Sequence, residues 1–210
     1  MTKQELRKEI ISRLTPLSSA DLEVQSKLIC SKIIESADYL ESTLLLAYMP
    51  LGDEVDILPV IKNALENNKK VFLPRIKPGT NQMDFYRYFQ SAATTQGSYG
   101  ILEPQADEAF NLLTFLKNNH ASRILVLVPG RAFTKDGKRL GRGKGFYDIY
   151  FSRLAEALAA NPSPQNFKIK KSGVCFAQQL LPDLPTTPDD VIMDSVVSTS
   201  STTGNITSVR

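Results

Sequence analysis

Apolar residues recur along this chain with two different periods, and the alternation between them outlines a fold. Over residues 3–14, Leu6, Ile10 and Leu14 stand at i, i+4 and i+8, the spacing of one buried stripe on an amphipathic helix. A second helix is expected after Ser18 and Ser19, with Asp21 in its first turn and Leu22, Ile29 and Ile33 on one face. Residues 43–49 (TLLLAYM) form a short apolar run that stops at Pro50 and Gly52, as a strand buried on both faces does. Asp56 then reads as the cap of a helix carrying Ile57, Val60, Ile61 and Leu65. Residues 71–76 and 83–88 read as strands, joined by a turn at 77–81 (KPGTN).

In the second half the composition turns to Ser, Thr, Gly and Ala over residues 91–104, which is loop chemistry. Residues 124–128 (ILVLV) carry the strongest strand signal of the chain and run through Pro129 and Gly130 into a glycine-rich basic segment. A helix is expected from about Phe146, with Tyr147, Phe151, Leu154 and Leu158 on one face. Residues 161–171 read as a polar linker, 173–177 as a strand and 194–199 as the last strand; no internal repeat is visible. Strands alternating with helices predict an α/β layer architecture with a largely parallel sheet. In such sheets ligands bind beyond the carboxyl ends of the strands, so the loops after residues 49, 128 and 177 are the ones to read for chemistry.

Composition narrows the function classes. A length of 210 residues, 42% of them hydrophobic, suits one domain with a real core; the expected division is a single domain over 1–200 and a flexible tail over 201–210. Lys and Arg exceed Asp and Glu by 25 to 22, a slight excess that suits local handling of anions better than coating nucleic acid. The single histidine, His120, excludes two-His metal sites and reads as a surface residue. Cys30 and Cys175 form no CxxC spacing and are expected to be reduced, buried thiols. The N-terminus lacks a signal-peptide pattern and no apolar run approaches 18 residues, so a cytoplasmic protein is expected, with a mitochondrial one left open. The glycosylation sequon at Asn205-Ile206-Thr207 is read as chance.

Placement of charge matters more than its sum. Between residues 135 and 144 stand five cations (Lys135, Lys138, Arg139, Arg142, Lys144) and one acid, Asp136. Gly141, Gly143 and Gly145 remove every second side chain, which lets backbone N–H groups approach an anion, and the helix that follows adds its N-terminal dipole. Arg142 and Lys144 stand between the glycines as phosphate clamps. The spacing fits neither a Walker A loop nor the dinucleotide G-x-G-x-x-G. Asp148, in the first helical turn, is either a dipole-stabilising acid or a Mg²⁺ ligand beside bound phosphate. The pair Asp189-Asp190 is either a turn or a second carboxylate for that ion. Lys3 and Arg7 lie one helical turn apart off the apolar stripe, an arrangement that an anion between them would favour. Glu54 sits in the turn after the first strand.

The runs VLVPGRAF (126–133) and RLGRGKGFYD (139–148) resemble the 5-formyltetrahydrofolate cyclo-ligase family. Weaker pieces fall in the family's order: Lys3 and Arg7, Glu54-Val55, Phe72-Leu73-Pro74-Arg75, Tyr99-Gly100-Ile101-Leu102-Glu103-Pro104, and Asp190 ahead of Asp194. The resemblance implies a single Rossmann-like α/β domain, a largely parallel sheet flanked by helices with short antiparallel additions. It implies ATP- and Mg²⁺-dependent closure of 5-formyltetrahydrofolate to 5,10-methenyltetrahydrofolate. Carried over by position, Lys3, Arg7, Arg139, Leu140, Gly141, Arg142, Gly143, Lys144, Gly145, Phe146 and Tyr147 would contact ATP. Asp148 and Asp190 would hold Mg²⁺. Met49, Glu54, Arg142, Gly143, Lys144, Gly145 and Phe146 would contact the folate, and Arg142 and Lys144 are the expected catalytic pair. A folate as small-molecule partner, no nucleic acid, no membrane and a monomer are expected. Two positions depart from the family pattern: Asp189 stands where many members have histidine, and Phe146 replaces the first tyrosine of G-Tyr-Tyr-Asp. The rival readings are another ATP-using ligase or kinase, or an RNA-binding module that stacks bases on Phe146, Tyr147 and Tyr150.

Overall fold

The computed structural model describes residues 1–89, 95–96, 102–103, 107, 111–117, 121–160, 166–199 and 202–203. Helix α1 (Lys3–Leu14) starts with a capping box: the Thr2 hydroxyl accepts from the Glu5 N–H at 3.2 Å, and the Glu5 carboxylate accepts from the Thr2 N–H at 2.7 Å. Helix α2 (Ser19–Glu35) repeats the device with Ser18 and Asp21. Then follow α3 (Ala37–Glu41), β1 (Leu44–Leu46), α4 (Leu58–Glu66), β2 (Lys70–Ile76), β3 (Met83–Tyr88), β4 (Thr95–Gln96), β5 (Leu102–Glu103) and α5 (Leu112–Lys117). The second half adds β6 (Ala121–Pro129), β7 (Ala132–Thr134), β8 (Arg139–Leu140), α6 (Phe146–Ala159), β9 (Asn166–Val174), β10 (Leu180–Leu181), β11 (Ser195–Val197) and β12 (Thr202–Thr203).

Seven strands form the main sheet in the order β12-β11-β9-β6-β1-β2-β3. The five inner strands run parallel, and β3 and β12 close the two edges antiparallel, as the resemblance implied. Because side chains alternate across a strand, each inner strand feeds two cores. Leu45, Val71, Leu73, Leu125 and Leu127 pack against α1, α2 and α4, while Leu44, Leu46, Phe72, Val126 and Val128 pack against α6 and α5. Burial on both faces explains why β1 and β6 read as unbroken apolar runs. Removing each such Leu or Val from water contributes about 1.5–3 kcal/mol.

Several expectations need correction. Residues 166–171 are not linker but the first half of β9, where Phe167 and Ile169 are half-buried between lysines. This stretch pairs with β6 alone, since β11 joins only from Ser172 onward, so lysines, one exposed and two half-buried, are tolerated along it. The strand expected over 173–177 ends at Val174, and Ala177–Gln179 forms a 3-10 turn. Strand β11 is not the last, because β12 pairs with it. Helix α4 begins at Leu58 with Ile57 as its cap residue; Asp56 lies one position upstream and accepts from the Leu58 N–H at 3.0 Å. The basic segment after β6 is more ordered than a loop, since β7 pairs with β8 and β10 to form a small sheet. His120, the sequon at 205–207 and residues 99–101 and 104 lie outside the described residues.

Candidate active site

The carboxyl ends of β1 and β6 open onto a cavity of about 510 Å³, within the range of roughly 300–1,000 Å³ usual for small-molecule sites. All fifteen residues singled out from sequence line it: Lys3, Arg7, Met49, Glu54, the run 139–148 and Asp190. The loop after residue 177 does not; the segment before β11 takes its place through Asp190. Eight further residues complete the lining, among them Leu51, Pro74, Ile76 and Met83, which give the cavity an apolar end, and Arg131. Pro74 and Ile76 read in sequence as ordinary strand residues, and only the β2–β3 register brings Met83 opposite Ile76.

The opposite end is built from backbone and charge. Gly143 and Gly145 have φ of +100° and +70°, a region side-chain-bearing residues rarely adopt. A Cβ on Gly143 would also stand 3.3 Å from Cζ of Arg7. Gly145 is the N-cap of α6 and offers no side-chain oxygen, so no cap side chain competes for the first N–H groups of a 14-residue helix. Such an end favours an anion. Helix α1 reaches the same place: Arg7 Nε donates to the Gly141 carbonyl at 2.8 Å, and Lys3 Nζ pairs with Asp190 at 2.5 Å.

Three of the loop's five cations are paired with acids. Lys138 pairs with Asp183 at 2.6 Å, and Arg139, only 5% exposed, pairs with Asp148 at 3.2 Å. The Arg139 guanidinium also lies over the Tyr147 ring, 5.3 Å from its centroid. Arg142 donates from Nε to Glu54 Oε1 at 2.9 Å and also pairs with Asp53. Asp53 in turn pairs with Arg131, so Arg131, Asp53, Arg142 and Glu54 form one alternating chain of charges along the cavity. Among the described residues Lys144 has no carboxylate partner. Asp53 and Arg131 were not anticipated; the acid next to Glu54 in the turn after β1 was the available signal. Partial burial works against the charged form of Asp53, but Arg142 and Arg131 outweigh it and hold its carboxyl below the usual range. At Asp190 burial is likewise outweighed by Lys3 and the Thr187 N–H.

Among the described residues no three His, Cys, Asp or Glu side chains cluster, so no all-protein metal cage is present. Three carboxylates line the cavity, Glu54, Asp148 and Asp190, and the last two stand on segments tied together. Asp148 accepts the Val191 N–H at 3.2 Å, which ties it to the segment carrying Asp190. Both bonds made by Asp190 fall on Oδ2, which leaves Oδ1 for a cation. Two hard oxygen donors beside an anion cradle fit Mg²⁺ shared with a polyphosphate. Tyr147 and Tyr150 are buried, so they cannot serve as stacking platforms for bases. Cys30 and Cys175 are free and buried, as expected.

The model of the 5-formyltetrahydrofolate cyclo-ligase family matches residues 1–199. The chain is 31% identical over 199 residues to the Mus musculus 5-formyltetrahydrofolate cyclo-ligase, covering 93% of this chain and 92% of that one. Its identity to the Saccharomyces cerevisiae 5-formyltetrahydrofolate cyclo-ligase is 27% over 215 residues, with 93% and 94% covered. The NMR structure of Aquifex aeolicus 5,10-methenyltetrahydrofolate synthetase matches with a TM-score of 0.75 at 28% identity, covering 100% of this chain and 95% of that one. A Mycoplasma pneumoniae 5,10-methenyltetrahydrofolate synthetase, at TM-score 0.63 and 22% identity over 95% and 99%, bears on the fold alone. Among the described residues no helix is long and apolar enough to cross a membrane.

Proposed function

The chain belongs to the 5-formyltetrahydrofolate cyclo-ligase family, and from that premise we propose that it converts 5-formyltetrahydrofolate to 5,10-methenyltetrahydrofolate with ATP, releasing ADP and phosphate. The observation that carries this reading is one cavity, with a glycine-rich cationic end and an apolar end, lined by the fifteen residues to which the resemblance gives a role.

A formamide oxygen is a poor leaving group. In the proposed reaction the formyl oxygen attacks the γ-phosphorus as the bond to the bridging oxygen of ADP breaks. N10 of the folate then attacks the activated carbon. Phosphate departs with the electron pair of the C–O bond and takes up the proton that N10 loses. The nucleophile belongs to the substrate, so the protein supplies positioning and charge stabilisation. The α6 N-terminus, the glycine backbone, Lys144 and Arg7 bind phosphate oxygens, and Arg142 stabilises the charge that develops in transfer. Asp148 and Asp190 would hold Mg²⁺, which when bound neutralises charge on the polyphosphate. Met49, Leu51 and the β2–β3 end exclude water from the ring, and Glu54 accepts hydrogen bonds from it. The test mixes protein, Mg-ATP and 5-formyltetrahydrofolate at neutral pH and follows the near-UV band of the methenyl product. A band that needs ATP is expected; no band, or one that forms without ATP, refutes the reading.

A further inference from the structure

Two phenol hydroxyls, those of Tyr147 and Tyr150, are buried without a hydrogen-bond partner among the described residues. They belong to side chains 9% and 1% exposed, three residues apart on α6. Both rings pack in one aromatic cluster, with centroids 6.5 Å and 4.8 Å from that of Phe85, and both neighbour Phe151. Phenylalanine fills two other places on this helix, Phe146 and Phe151, so packing alone does not call for a hydroxyl.

The two hydroxyls differ in surroundings. Tyr150 does not line the cavity, and the charges that act on it are Asp84 and Arg153. Tyr147 lines the cavity, with the Arg139 guanidinium over its ring and Glu54 as its neighbouring acid. The phosphate end already has donors in backbone N–H groups, Lys144 and Arg7. The apolar end has few: Met49, Leu51, Pro74, Ile76 and Met83 offer none from their side chains, and the Tyr48 hydroxyl is engaged by the Val55 carbonyl at 2.9 Å. Glu54, as a carboxylate, accepts only.

We propose that the Tyr147 hydroxyl is a donor reserved for an acceptor atom of the folate, at the point between Glu54 and Arg139 where the two substrates meet. The inference rests on the folate reading of this cavity. A buried hydroxyl without a partner destabilises the free protein, and the ligand supplies the missing acceptor.

Tyr147→Phe and Tyr150→Phe, made in the full chain, form a matched pair. In the ligand-free state each should melt at the wild-type temperature or up to about 4 °C higher, because each loses an unsatisfied polar group. Titration with 5-formyltetrahydrofolate should show affinity about tenfold weaker for Tyr147→Phe. It should be unchanged for Tyr150→Phe, which should also bind Mg-ADP as wild type does. The inference is overturned if Tyr147→Phe binds folate as wild type does, if Tyr150→Phe weakens folate as much, or if the ligand-free melting point of Tyr147→Phe falls by several degrees. Absence of folate turnover by the wild type would defeat the proposed function itself, so the two failures are distinguishable.

Discussion

Arg142→Ala separates the structural and chemical duties of one side chain. In the ligand-free protein its guanidinium bridges Glu54 and Asp53. Glu54 has an 8% exposed side chain and would keep only the Leu51 N–H at 3.1 Å. Losing its charged hydrogen bond should cost about 1–3 kcal/mol. Asp53, 38% exposed and still paired with Arg131, should add little. The expected total is about 2 kcal/mol, which lowers Tm by about 4–8 °C in a chain of this size. The effect on rate is larger, because removing a donor aimed at developing charge typically costs about 10²–10³ in kcat. Initial rates of methenyl formation at saturating Mg-ATP, taken well below the shifted Tm, report that loss without contamination by unfolding. Arg142→Lys keeps the charge but cannot span both carboxylates, and should fall between the two. A folded Arg142→Ala protein with kcat/KM within threefold of wild type would refute the assignment. So would a rate deficit no greater than the unfolded fraction at the assay temperature.

Gly143→Ala should strain a backbone at φ +100° and press a methyl group against Arg7. A loss of about 1–3 kcal/mol and a raised KM for Mg-ATP are expected, checked by thermal melts and by kinetics at fixed folate. Asp53 and Asp190 have carboxyls held below their ordinary range. Their contribution is therefore full above the unfolded-state pKa of about 4 and is lost as pH falls below it. Melts from pH 6 to pH 3 should show that decline, and it should be shallower in Asp190→Asn. Burial pushes the Cys30 thiol up to about 11 and the Cys175 thiol up to about 12. Neither should react with a disulfide reagent at pH 8 until denaturant is added, and prompt native-state labelling of either would contradict their burial.

The residues that line the cavity were easier to read in the sequence than several of the short strands, for a physical reason. Anion sites built on backbone demand glycine at the close approaches, and Gly141, Gly143 and Gly145 therefore show in the sequence itself. The cations and the acid around them are drawn from few residue types. Strand β9 escaped because lysines along its one-sided first half break the apolar run, although Phe167 and Ile169 keep a period of two. Strands β7, β8 and β10 escaped because two- or three-residue strands carry no period at all. The apolar end of the cavity was invisible for a third reason: Ile76 and Met83 become neighbours only through the antiparallel register of β2 and β3.

Charge in the cavity follows a rule that no tally of the loop could supply. Arg142, Arg131 and Lys3 each meet an acid from another part of the chain, and Arg139 meets Asp148 one helical turn past the loop. A site left with four uncompensated cations would repel itself, and any of them buried as deeply as Arg139 would carry a heavy desolvation cost. Pairing removes that cost while the cavity is empty of ligand. On the proposed function, binding an anionic nucleotide would be an exchange of partners, in which phosphate oxygens replace carboxylates at Lys3 and Arg142. That exchange would free Asp190 for a cation and Glu54 for the folate. Arg139, only 5% exposed and also donating to the Pro129 carbonyl at 3.2 Å, is the most deeply packed of the four, so it is expected to act mainly by orienting Asp148 and by covering the Tyr147 ring. The exchange predicts that weakening a resting pair tightens nucleotide binding. Asp190→Asn releases Lys3 and should lower the Kd for ATP without Mg²⁺, while raising the Mg²⁺ concentration needed for turnover. Isothermal titration with and without the ion measures both effects, and a Kd for free ATP that rises in Asp190→Asn would show that the pair holds Lys3 in place for phosphate instead of competing for it.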